Sequence, residues 1–93
     1  MVPGLTDHAR IRMQQRGIPE VALDVLLDYG CTVHDHRGAE IVYFDKRAKE
    51  RLVRERGVEN ARRLERFLDA YAVVGGDGEI RTVGHRHARL VRP

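Results

Sequence analysis

The fold turns on residues 31–45, CTVHDHRGAEIVYFD. CTVHDH and EIVYFD are short, β-rich runs on either side of Arg37-Gly38-Ala39, and Gly38 suits a tight turn, so the stretch predicts a β-hairpin. Upstream of Cys31 the apolar residues instead recur every three or four positions, which predicts helices. In the first, Thr6 is a good N-cap, Asp7 suits the first turn and Gly17 the C′ position, giving a helix over about Asp7–Arg16. Pro19 opens the second, which runs to about Tyr29 and stops at Gly30. Val21, Ala22, Leu23, Val25, Leu26, Leu27 and Tyr29 cover most of its wheel and leave only a narrow acidic stripe of Glu20, Asp24 and Asp28. The short connection between the helices predicts an antiparallel helical hairpin.

Downstream, AVVGGDGEIRTVGH reads as a second β-hairpin turning at Gly76-Asp77-Gly78. The intervening residues, about 46–70, have helical character broken near Gly57. Within them 46–56 have few apolar positions and are expected at the surface, whereas Ala61, Leu64, Phe67, Leu68 and Tyr71 keep an apolar spacing that should dock. The expectation is one α+β domain over residues 1–93: a helical hairpin on a four-stranded antiparallel sheet, with a helical insertion between strands 2 and 3.

The chain has 93 residues and a formal net charge of +3, with 42% hydrophobic and 33% charged residues, an ordinary balance for a folded domain. No apolar run reaches the roughly 18 residues of a membrane span, and MVPGLTDHAR has no signal-peptide core, so a cytoplasmic protein with no membrane partner is expected. Cys31 is the only cysteine, which excludes an internal disulfide and a cysteine zinc motif. Residues 80–93 hold Arg81, Arg86, Arg89 and Arg92 and no acid, a basic end suited to phosphate.

Helix 1 carries an anomaly. Leu5, Ala9 and Met13 lie together on one side, Ile11 on the other, and His8, Arg12 and Arg16 fall between them. An unpartnered buried arginine is very unfavourable. The stripe therefore pairs with the acids of helix 2 or with Asp35 and Asp45, edges the core with its charged heads in water, or lines an anion-binding cleft.

HARIRM-QQRGIP, followed by a helix ending in glycine, resembles the opening of the bacterial family called domain of unknown function 4258, and GDGEIRTVGHR resembles its closing strand. The resemblance covers about half the chain. It implies a RelE/ParE-like fold, whose members include metal-independent endoribonucleases, toxins paired with antitoxins, and proteins that bind gyrase without cleaving anything. The segment at 46–70 departs from the short connection the family leads one to expect.

Metal-independent RNA cleavage needs a base, an acid and cations for the phosphate. His8, Arg12 and His85 are the candidate catalytic residues; Arg16, Arg81, Thr82 and Arg86 are the candidate nucleic-acid contacts. Strand alternation puts Thr82 and His85 on opposite faces unless Gly84 forms a bulge. His34/His36 and His85/His87 would form a metal site if their strands were neighbours; coincidence is the reading adopted, with no metal or cofactor expected. The expected function is thus RNA binding, with a toxin-like endoribonuclease activity as its enzymatic form. A non-catalytic module that binds an antitoxin or a larger enzyme, with a dimer through 46–70 as its sign, is the competing reading.

Overall fold

The computed structural model describes residues 4–35 and 37–86. Its elements are α1 (Asp7–Arg16), α2 (Glu20–Tyr29), β1 (Cys31–His34), β2 (Glu40–Tyr43), α3 (Lys46–Arg56), α4 (Val58–Arg63), a single 3₁₀ turn (Glu65–Phe67), β3 (Ala70–Val74) and β4 (Ile80–His85). The four strands form one antiparallel sheet in the order β1-β2-β3-β4. The α+β class and both hairpins are therefore as the period change at Cys31 predicts.

Local chemistry sets the boundaries. The Thr6 hydroxyl accepts from the Ala9 amide, and Gly17 closes α1 at φ 64°, in the left-handed region that glycine enters without strain. Asp45 caps α3 in the same way, accepting from the Ala48 amide. Pro19 stands at the N-cap of α2 rather than at its first helical position. The Asp35 carboxylate holds the first hairpin's loop by accepting from the Arg37 and Ala39 amides.

One face of the sheet meets the helices. Antiparallel pairing sets Val42, Ala72 and Val83 side by side, and all three lie in the core with Leu23 and Leu26 of α2. α1 packs along β4, while α2 packs across β2 and β3 and against α3. The two helices thus each find their own part of the sheet. Residues 46–56 are less superficial than their composition predicts: Leu52 is fully buried, and α3 docks on α2 through it and Ala48. On the solvent side of that contact, the Arg51 and Arg56 guanidiniums stand 4.9 and 5.6 Å from the Tyr29 ring. The Tyr29 hydroxyl accepts from Arg56 Nε at 3.0 Å, and this bond raises the Arg56 pKa further above its already high value. Tyr71 lies in β3, not on a helix, and Ala61, Leu64, Phe67 and Leu68 supply the docking face of the segment.

The other face of the sheet carries Val33, Ile41, Tyr43, Tyr71, Val73, Thr82 and Gly84. Of these residues none belongs to the helix-side core.

Candidate nucleic-acid interface

α1 and β4 bring the predicted site residues into one region, but not into one site. α1 begins where the chain is tied to the start of β4: the Thr6 amide donates to the Ile80 carbonyl at 3.1 Å and the Ile80 amide to the Gly4 carbonyl at 2.7 Å. It ends beside the last residues of β4. There Arg16 reaches round the strand's edge, and its Nη1 donates to the Val83 carbonyl at 2.9 Å. The same Nη1 occupies the space a Cβ on Gly84 would fill, with Tyr71 Cε1 alongside at 3.2 Å, so Arg16 rests on the outer face.

Of the three readings of the stripe, the exposures fit the one in which it edges the core with its charged heads in water. His8 and Arg16 are exposed and Arg12 is half-buried, and no charged residue among those described is buried. The physical reason is Ile11. Taken as an apolar flank, it placed the arginines inside; it is 52% exposed, and the buried face is centred on Ala9 and Met13 alone. The stripe runs along the margin of that face, toward the edge of β4. Neither the acids of α2 nor Asp35 or Asp45 pairs with it among the described residues; Asp28 takes Arg56 instead, at 3.9 Å.

His8 and His85 are separated. His8 is in the first turn of α1, and His85 lies at its far end, where Nε2 is 3.3 Å from the Arg16 carbonyl. Eight residues of α-helix put about 12 Å between the two levels. His85 Nδ1 is also 2.6 Å from Asp69 Oδ1, so both ring nitrogens already face oxygen atoms.

The anticipated bulge exists, but not at Gly84. Val73 pairs with Thr82 and Val74 with Ile80, so the extra residue in β4 is Arg81. Arg81 lies over Gly75 and contacts Asp77 at 3.7 Å. Beyond the bulge the alternation is regular. Thr82 and Gly84 share the outer face, His85 takes the opposite one, and the two do not meet in a cleft.

Arg86 continues the outer-face series. Its guanidinium covers the Tyr43 ring at 4.9 Å, and Nη2 donates to the Phe44 carbonyl at 3.3 Å. Its Nε is buried and makes no hydrogen bond. Sequence patterning missed this stack: Tyr43 and Phe44 look alike as strand aromatics, yet Phe44 is core and Tyr43 sits beneath Arg86. The one available signal was parity, since 82, 84 and 86 must share a face.

Of the histidine pairs, His36 and His87 lie outside the described residues. His34 is on β1 and His85 on β4, opposite edges of the sheet, so the adjacency that a four-imidazole site requires is missing. Among the described residues no group of three or more histidine, cysteine or acidic side chains could hold a metal ion. No described helix is long and apolar enough to cross a membrane.

Compared with known protein families, curated proteins and solved structures, the chain matches none.

Proposed function

We propose that this protein binds RNA along the β4 edge of its outer sheet face. The observation that carries the reading is a pair of guanidiniums there, Arg16 from α1 and Arg86 after β4, with Arg12 one helical turn before Arg16. Among the described residues, none of the three is paired with a carboxylate. Arg51, Arg56 and Arg81, by contrast, lie against Glu55, Asp28 and Asp77. Planar guanidinium forks suit phosphate oxygens, the Thr82 hydroxyl can add a hydrogen bond, and the half-buried Tyr71 ring offers a stacking surface. The toxin-like form of this reading, on a RelE/ParE-like fold, rests on the motif residues of α1 and β4.

Binding is better supported than cleavage. Cleavage by His8, Arg12 and His85 needs acid and base within reach of one phosphodiester, whereas His8 and His85 stand at opposite ends of α1. A nuclease assay in EDTA on wild type and His8→Ala separates the two: cleavage by wild type alone supports an endoribonuclease.

Fluorescence anisotropy with a labelled single-stranded RNA tests the binding reading. Arg12→Ala and Arg16→Ala should each weaken binding about tenfold, the loss of one charge-assisted phosphate contact. Arg62→Ala, on the solvent side of α4, should leave it unchanged. Equal affinity in all of them would remove the basis for the proposal. A protein-binding reading has one observation of its own: Val53 and Val58 are 41% and 59% exposed at the α3–α4 corner, where an antitoxin or enzyme partner could dock. Val58→Lys should leave RNA affinity intact if the RNA site is on β4.

A further inference from the structure

The two edges of the sheet are finished differently. β4 is closed along its outer side by the Gly4–Thr6 segment, which pairs with Ile80, and by Arg16 Nη1 on the Val83 carbonyl. Among the described residues β1, the opposite edge, pairs only with β2. Natural edge strands are normally blunted by shortness, lysine or other charges, proline, a bulge or a covering segment, and of these β1 has only its short length. Cys31-Thr32-Val33-His34 contains no proline, lysine, arginine or acid, its pairing with β2 is regular, and no described segment covers it.

We propose that β1 is a homodimer edge: two copies pair β1 to β1 antiparallel about a two-fold axis at Val33. The hydrogen-bonding directions are determined. The Asp35 amide donates to the Ala39 carbonyl, so residues 31, 33 and 35 turn their backbone groups toward β2. Thr32 and His34 therefore turn theirs outward. An antiparallel pair about Val33 sets Thr32 opposite His34 of the second copy, and His34 opposite Thr32. Each pair exchanges two N–H to C=O bonds, which satisfies all four outward groups on each strand. The register is its own complement, as a two-fold interface demands.

The side chains agree with it. Val33 meets its own copy at the central, non-hydrogen-bonded pair, where side chains approach most closely. It is 37% exposed and lies on the outer face. Flanking pairs set Cys31 opposite Asp35 and Thr32 opposite His34, so no like charges oppose each other. Joined this way the outer faces become continuous across eight strands. Four-residue strands bury little area against the 1,200–2,000 Å² or so of stable complexes, so the dimer is weak and concentration-dependent.

Sedimentation equilibrium on the full chain, with reductant so that Cys31 cannot cross-link copies, tests the proposal. Wild type should rise from its monomer mass of 10.7 kDa toward twice that value as concentration increases. Thr32→Pro removes an outward amide that β2 does not use, and should stay at monomer mass throughout. Val33→Lys, which opposes two ammonium groups on the axis, should do the same and carries the test alone if Thr32→Pro misfolds by circular dichroism. Val53→Lys, on α3, should dimerise like wild type. Wild type that remains monomeric at every concentration overturns the proposal, as does a folded Val33→Lys that dimerises normally.

Discussion

At the scale of single residues, the β4 edge depends on how closely Arg16 and Gly84 fit. Only a glycine at 84 leaves room for the Arg16 guanidinium to reach the Val83 carbonyl. Gly84→Ala should push that flexible side chain away, removing one hydrogen bond and about 1 kcal/mol of stability, and should lower RNA affinity as far as Arg16→Ala does. Gly30→Ala should behave differently. Its Cβ would meet the Leu26 carbonyl oxygen at 2.5 Å and Val42 Cγ1 at 2.7 Å, backbone and core rather than a mobile tip. Overpacking of that kind destabilises by about 1–3 kcal/mol, and urea unfolding should show the loss with RNA affinity of the folded fraction unchanged.

At the scale of elements, α1 and α3 are held by their caps and by what they bury. Thr6→Ala removes the α1 cap and the hydroxyl's 3.0 Å bond to the Ile80 carbonyl, so a loss of about 1–2 kcal/mol is expected by chemical denaturation. Leu52→Ala should cost about 2–5 kcal/mol, because Leu52 is fully buried. That prediction marks where reading the sequence fell short. The first two helices, the caps of α1 and both hairpins were legible because apolar period, Thr6, Gly17 and Gly38 are local signals. The burial of α3 was not, because two apolar residues on an arginine-rich helix announce no partner. Arg51 and Arg56 make the exposure tolerable by standing against Tyr29, a tertiary contact. The direction of the His8-Arg12-Arg16 stripe was misread for a related reason: Ile11 is apolar yet faces solvent, and the wheel gives an isoleucine no way to say so. The location of the bulge at Arg81 depends on how β3 and β4 pair, which Gly84 alone cannot reveal.

At the scale of the whole molecule, the sheet separates two jobs. Its inner face anchors the helices through Val42, Ala72 and Val83, and its outer face is bordered on the β4 side by the Arg16 and Arg86 guanidiniums, which meet no carboxylate among the described residues. Charge placed there should act on RNA through phosphate, so affinity should fall as salt rises, with a slope near −0.7 per phosphate engaged. With Arg12, Arg16 and Arg86 engaged, a slope of about −2 is expected, shrinking by about 0.7 in Arg16→Ala. The measurement that bears most directly on the central claim is therefore a salt titration of single-stranded RNA binding by wild type and Arg16→Ala. Wild type should bind more tightly and with the steeper slope. Identical affinity and slope in the two proteins would contradict that claim.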